Sequence, residues 1–431
     1  SRGGRWRGML VLEGRAFYRG RLEPLAVGIE HGRIHRVARI LEGDERRDYG
    51  DRLLLPGGVD LHVHLREPGM TDKEDFATGT AAAAVGGVTT VLDMPNTRPP
   101  VTSPSAYGEK MALVRKKAHV DFGLFAAIRA PGDVRAFAGV APAGKLYMAP
   151  TTGDLEVTDK ASVREIVAEA AAAGLLLSVH AEATSSFGKE EGRTLPAHDH
   201  MRPPESEAIA IRLLERAAVK AKGIPRVHVA HVSSAKALEA LPKSFSAEVT
   251  PHHLLLEDTM PLQARGKVNP PLRTAEDRKA LWAALADGRI PIVASDHAPH
   301  TAEEKDLPFE QAPAGLPGVE TMLPLLLRVV KRGDLSIERF VDATAKRPAD
   351  LLGLNVGEIE VGRVANLIVV DPRDIGVVKA KALHSKCGWT PFEGMEAIFP
   401  QATYVRGELA AEGRELVGER LGKAIPVPKP S

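Results

Sequence analysis

Residues 59–94 read VDLHVHLREPGMTDKEDFATGTAAAAVGGVTTVLDM, and the fold follows from how that stretch is divided. Residues 59–64 form a short apolar run with the β-type character of a strand. Residues 75–84, rich in alanine, carry apolar side chains at helical spacing, and 88–94 is a second β-type run. A strand, a helix and a strand within so few residues make one βα unit, whose helix returns the chain so that the next strand lies parallel to the first. Working outward, the alternation continues. Further strands are predicted at 120–126, 145–148, 175–180, 227–232, 247–255 and 290–295, with helical spacing at 162–173, 205–221, 275–286 and 320–331. Eight strands, each followed by a helix, over about 300 residues are the size of a (β/α)8 barrel of the TIM type.

The flanks read differently. From Arg15 to Leu55 short strands are broken by glycine and charged turns, and Pro56-Gly57-Gly58 closes that section. After Leu354 short strands return at 358–360, 366–371, 403–406 and 408–411. Neither flank has enough apolar residues to bury a core alone. The expectation is a composite β-sandwich domain from residues 1–55 and 355–431, attached to a barrel domain spanning 56–354.

Composition narrows the function classes. The 431 residues are 44% hydrophobic and 26% charged, with a formal net charge of +1, which gives no electrostatic reason to expect nucleic acid or an anionic membrane. No apolar run reaches the ~20 residues of a membrane span. The single cysteine, Cys387, excludes an internal disulfide and a cysteine metal site, and fits a reducing cytoplasm. The basic stretch Ser1–Gly8 reads as an extension before Met9. Asn96, Asn269, Asn355 and Asn366 are the only asparagines, a shortage typical of heat-adapted proteins.

In a parallel barrel the reacting groups come from the C-terminal ends of the strands. Strand one ends in Asp60-Leu61-His62-Val63-His64, where residues two apart share a face, so His62 and His64 can hold one ion together. Strand four opens with Lys145, strand five ends at His180, strand six at His231, and strand eight at Asp296. Any one of these residues alone has an ordinary structural reading. The six together, at five strand ends, are a donor set suited to zinc or a similar divalent ion. His31, His35, His119, His198, His200 and His384 lack such placement and read as ordinary side chains. Lysine ammonium has no lone pair, but the neutral amine reacts with carbon dioxide to give an anionic carbamate that can bridge two ions. Two ions about 3.5–4 Å apart would share an activated hydroxide. Asp296 is then the natural proton carrier to the leaving nitrogen.

His62-Val63-His64-Leu65-Arg66-Glu67-Pro68-Gly69 resembles the HxHxREPG signature of the dihydroorotases, within the amidohydrolase superfamily. Met94-Pro95-Asn96-Thr97 resembles their second motif, and Ser295-Asp296-His297-Ala298-Pro299-His300 their strand-eight motif. The likeness covers nearly everything from Pro56 to Gly394. Gly144-Lys145-Leu146-Tyr147 is most similar to the dihydroorotase domain of the multifunctional animal pyrimidine-synthesis protein, in which that lysine is carboxylated; many bacterial type I enzymes have an aspartate in this region. The resemblance implies a zinc-dependent cyclic amidohydrolase interconverting N-carbamoyl-L-aspartate and L-dihydroorotate in pyrimidine synthesis. It implies metal ligation of two zinc ions by His62, His64, Lys145, His180, His231 and Asp296, with Lys145 carboxylated. It implies substrate contacts from Arg66, Asn96 and His300 to a carboxylate, and a further one from Asn269. The animal domain carries a Thr-Phe pair on a mobile loop; here the corresponding Thr151-Thr152 lacks the aromatic, and reads equally as a lid or as a surface turn.

Other readings share much of this pattern. A dihydropyrimidinase, hydantoinase or allantoinase would keep the metals and the lysine, but its substrates lack the ring carboxylate that Arg66, Asn96 and His300 would receive. A non-catalytic dihydroorotase-like subunit that scaffolds aspartate carbamoyltransferase would lose metal ligands, which this chain retains. A homodimer, and a complex of a catalytic chain with aspartate carbamoyltransferase, both stay open.

Overall fold

A computed structural model describes residues 8–189 and 192–427; most of the N-terminal extension, residues 1–7, therefore lies outside the described residues. Eight parallel strands lie side by side in chain order: Gly58–Val63, Val88–Asp93, Asp121–Ala127, Ala143–Tyr147, Leu177–His180, Val227–Val229, Ser246–Val249 and Ile292–Val293. The ring closes where the end of the last strand meets the end of the first. The His64 amide donates to the His297 carbonyl at 2.7 Å, and Val63 bridges His297 in parallel. This is the expected (β/α)8 barrel.

The helices form where their sequences can close both ends. Phe76–Val85 is capped by Asp75, whose side chain accepts from the Thr78 amide while Thr78 reaches back. Gly86 and then Gly87, at φ +86, turn the chain into the second strand. Lys160–Ala173 ends at Gly174 in the left-handed conformation, and Met322–Arg332 ends the same way at Gly333. The outward faces of the strands and the helical jacket share one core, including Val63, Phe76, Phe122, Leu146, Val179, Val249 and Leu326, while Leu92, Phe125, Ala143, Leu176 and Ile292 belong to a separate cluster.

Two predicted elements change. The run at 247–255 is a strand only to Val249. Pro251 takes the first helical position, the Thr250 hydroxyl accepts from the His253 amide, and Pro251–Leu255 is a short helix. Residues 358–360 pair with no strand among the described residues. Gly357, at φ +89, and a bond from the Arg363 amide to the Glu360 carbonyl make a turn there.

The terminal segments combine as expected, into a separate eight-stranded sheet. Its order runs Glu415–Leu416, Glu408–Glu412, Ala402–Val405, Leu367–Val370, Glu45–Pro56, Leu10–Tyr18, Arg21–Glu30 and Arg33–Ala38. Leu12, Val27 and Leu54 from the N-terminal strands share one core with Leu367, Val369 and Tyr404 from the C-terminal ones. Neither set could be covered without the other. Among the described residues no helix is long and apolar enough to cross a membrane.

Candidate active site

The strand ends surround a cavity of about 410 Å³ at the C-terminal mouth of the barrel. His62, His64, Lys145, His180, His231 and Asp296 all line it, as do Arg66, Asn96, Asn269, Thr151 and Thr152. Strand pairing accounts for part of this convergence: Lys145 lies opposite Ser178 and Tyr147 opposite His180, so the inward faces of strands four and five meet.

Two groups of ligand-type atoms form. Nε2 of His62 and Nε2 of His64 each lie 3.2 Å from Oδ1 of Asp296. On the far sides of these rings, His62 Nδ1 donates to Glu248 at 2.5 Å and His64 Nδ1 donates to Asn96 Oδ1 at 2.8 Å. A hydrogen on Nδ1 leaves the Nε2 lone pair facing inward, which is the tautomer a metal requires. In the second group, His180 Nδ1 faces His231 Nε2 at 3.0 Å, while His180 Nε2 donates to Glu182 at 2.7 Å.

Electrostatics favour the same use. Burial pushes His64 down to about 4 and lowers His180 and His231 too, so these imidazoles are neutral and have lone pairs to offer. Burial works against ionisation of Asp296, but the adjoining His62 and His64 imidazoles, when protonated, outweigh it and hold the carboxyl well below its ordinary range. Lys145 is 1% exposed, its Nζ has no hydrogen-bond partner among the described residues, and burial lowers it to about 8. A buried amine with nothing to bond is a poor structural element and a good precursor of a carbamate. The donor set thus fits a divalent cation, with His62, His64 and Asp296 close enough together to hold one.

The backbone is strained at this mouth. Arg66, His231 and Asp296 have φ of +60, +38 and +45, a region that non-glycine residues enter only when their surroundings hold them there. Arg66 is 2% exposed, donates from Nε to the Pro299 carbonyl at 3.0 Å, and faces His300 at 3.2 Å. No carboxylate among the described residues lies within ion-pair distance of it.

The pattern of the amidohydrolase family matches residues 53–409. A dihydroorotase of Methanosarcina acetivorans is 40% identical over 430 residues, covering 92% of this chain and 90% of its own. That of Halobacterium salinarum is 40% identical over 415 residues, covering 94% and 97%. The chain belongs to the amidohydrolase family, among its dihydroorotases. Solved structures of the same family share the fold. The L-hydantoinase (dihydropyrimidinase) of Arthrobacter aurescens superposes with a TM-score of 0.91 at 28% identity, over 96% of this chain and 99% of its own. The dihydropyrimidinase of Brevibacillus agri gives 0.89 at 27%, over 98% and 99%.

Within this amidohydrolase, two placements differ from the sequence reading. His300 is not among the residues lining the cavity but stands behind Arg66, with Lys73 Nζ 3.1 Å from its Nδ1. His198, read as an ordinary side chain, does line the cavity and lies 2.9 Å from the Asn269 side chain. It comes from the helix Leu195–Met201 rather than from a strand end, which is why strand-end reasoning missed it. Glu248, Glu182 and Tyr147 were also missed as functional residues. Two of them had a signal in the period-two rule: Glu182 and Tyr147 stand two residues beyond His180 and Lys145.

Proposed function

We infer that the protein catalyses the reversible interconversion of N-carbamoyl-L-aspartate and L-dihydroorotate. The observation that carries the reading is Arg66. A buried guanidinium at the edge of the cavity, without a carboxylate of its own, is a site for an anion, and burial already pulls it down to about 10. Dihydroorotate brings a ring carboxylate to that end, whereas dihydrouracil, hydantoins and allantoin bring none. The hydantoinase-like overall shape is shared scaffold; the substrate is chosen at the site.

His62, His64, Lys145, His180, His231 and Asp296 would hold zinc, two ions with carboxylated Lys145 between them. When bound, the metal supplies Lewis-acid activation of the amide carbonyl and of water. Arg66 fixes the carboxylate, with Asn96 and Asn269 beside it at the cavity wall, so the reacting amide is presented to Asp296. In ring opening the carbonyl–nitrogen bond breaks and the nitrogen must gain a proton; in closure the ureido nitrogen must lose one. Asp296, buried and ionised at the centre of the cluster, is the group that carries it. The Asn96 amide donates to the Thr152 carbonyl at 3.0 Å, tying the 151–152 turn to the same wall in the manner of a lid. The single buried cysteine suits a cytoplasmic enzyme. Assembly as a homodimer or with aspartate carbamoyltransferase would be read from sizing with and without that partner.

The test is an assay of the metal-replete protein on L-dihydroorotate, dihydrouracil and allantoin, with metal content measured alongside. Turnover of dihydroorotate should exceed the others by orders of magnitude; preference for an uncharged ring would overturn the reading. Lys145→Ala should lose activity and at least one ion, with partial recovery of both on adding a short carboxylic acid.

A further inference from the structure

The two side chains expected to join Arg66 at the carboxylate are engaged elsewhere. His300 turns its two ring nitrogens to Arg66 and Lys73, at 3.2 and 3.1 Å. Asn96 spends its oxygen on His64 and its amide on the Thr152 carbonyl. Apart from Lys145, His198 and His231, whose nitrogens are also unanswered among the described residues, one cavity-lining side chain has a donor left over. Tyr147 is 3% exposed, and its hydroxyl has no hydrogen-bond partner among the described residues.

The position of that ring is determined by the fold. Tyr147 follows Lys145 by two residues on the fourth barrel strand and shares its inward face. Its ring packs on Ala127 of the neighbouring strand and on Leu155 beyond the 151–152 turn, and lies 6.4 Å, centroid to centroid, from His180. Arg66 and Asp296 line the same cavity as the ring. A buried hydroxyl without a partner destabilises a folded protein, because its hydration is lost and not replaced. Retaining one on the wall of a polar cavity makes sense where a ligand completes it.

We propose that the Tyr147 hydroxyl donates a hydrogen bond to the substrate's ring carboxylate, sharing that anion with Arg66 and making Tyr147 a specificity-determining residue. The proposal rests on the dihydroorotase reading. It gives the anion an uncharged donor in addition to a cationic one from the same cavity wall. Substrates without the carboxylate would leave both donors desolvated and unanswered, which penalises their binding.

Tyr147→Phe removes the oxygen alone and keeps the ring that fills the wall. The decisive measurement compares the affinities of N-carbamoyl-L-aspartate and N-carbamoyl-β-alanine, which differ only in the carboxylate concerned, for the metal-replete parent and variant. In the parent the first should bind far better. In the variant that ratio should shrink about 10–100-fold, the worth of a hydrogen bond to a charged group. KM for dihydroorotate should rise in step, metal content should be retained, and the unfolding temperature should equal or exceed the parent's. An unchanged ratio would overturn the proposal, as would equal loss on both ligands, which would put the hydroxyl at the reacting amide. A parent that does not prefer the dicarboxylate would overturn the functional reading itself, and the two failures are told apart by which protein shows them.

Discussion

Around Arg273 every side-chain nitrogen is answered. Nε donates to the Ser233 hydroxyl at 2.9 Å, one terminal nitrogen to Asp199 at 2.5 Å and to the Arg202 carbonyl at 2.6 Å, and the other to Glu207 at 3.2 Å. A few residues away, joined through Arg202 and its partner Glu182, the cluster around Lys145 is the reverse. There, among the described residues, the Lys145 amine, the Tyr147 hydroxyl and His231 Nδ1 have no partner. Both clusters are buried and both are charged. What separates them is satisfaction: the first is complete as the chain folds, and the second is complete only with something bound. Burial of charge therefore does not mark function by itself, whereas burial combined with unanswered donors and left-handed backbone does.

That contrast can be broken by mutation. The largest effect is expected for Asp296→Asn, which keeps shape but removes the proposed proton carrier. Turnover should fall about 10²–10⁴-fold with substrate still bound, and an initial-rate assay within a few fold of the parent would sink the assignment. Arg273→Met should do the opposite. It strands Glu207 and Asp199, and should cost about 3–5 kcal/mol of stability, read as a lower denaturant midpoint in metal-free protein. Little loss there would erase the distinction drawn above. Arg66→Met comes next: KM for dihydroorotate should rise by the equivalent of about 2–5 kcal/mol while both metals stay bound, and loss of metal instead would make Arg66 a support of the ligands. Smaller again is Glu182→Gln, which weakens the grip on His180. Metal affinity should drop about 10–100-fold, measured by competition with a chelating dye, and an unaltered titration would mean that the ring is fixed by packing alone. Smallest is Lys236→Ala at the exposed pair with Glu205. Stability should move by less than about 0.5 kcal/mol, and a shift in the melting curve as large as that of Arg273→Met would show that surface pairs matter here as much as buried ones.

The barrel could be read from the sequence because each strand is an apolar run flanked by helical spacing, and burial on both faces leaves no other pattern. The six expected ligand positions followed from the period of two and the rule that strand ends face the mouth. What failed had local causes. Thr250-Pro251 converts an apolar run into a helix start, a switch that hydrophobicity alone does not register. His198 reaches the cavity from a helix whose place is set by the tertiary fold. Tyr147 shares the inward face of Lys145 by the period of two, but that its hydroxyl lacks a partner among the described residues is a property of three dimensions.

The meeting of His64 and His297 at the closure of the barrel bears on how the chain matures. His62 and His64 stand near the start of the barrel sequence and Asp296 at the end of its last strand, yet the three converge across one seam. A nascent chain can make seven strands and still have no such trio, since its carboxylate arrives only with the eighth. Ion capture by that trio therefore waits for the ring to shut, and a ribosome-bound fragment ending before Asp296 should emerge without it, however well its helices have formed.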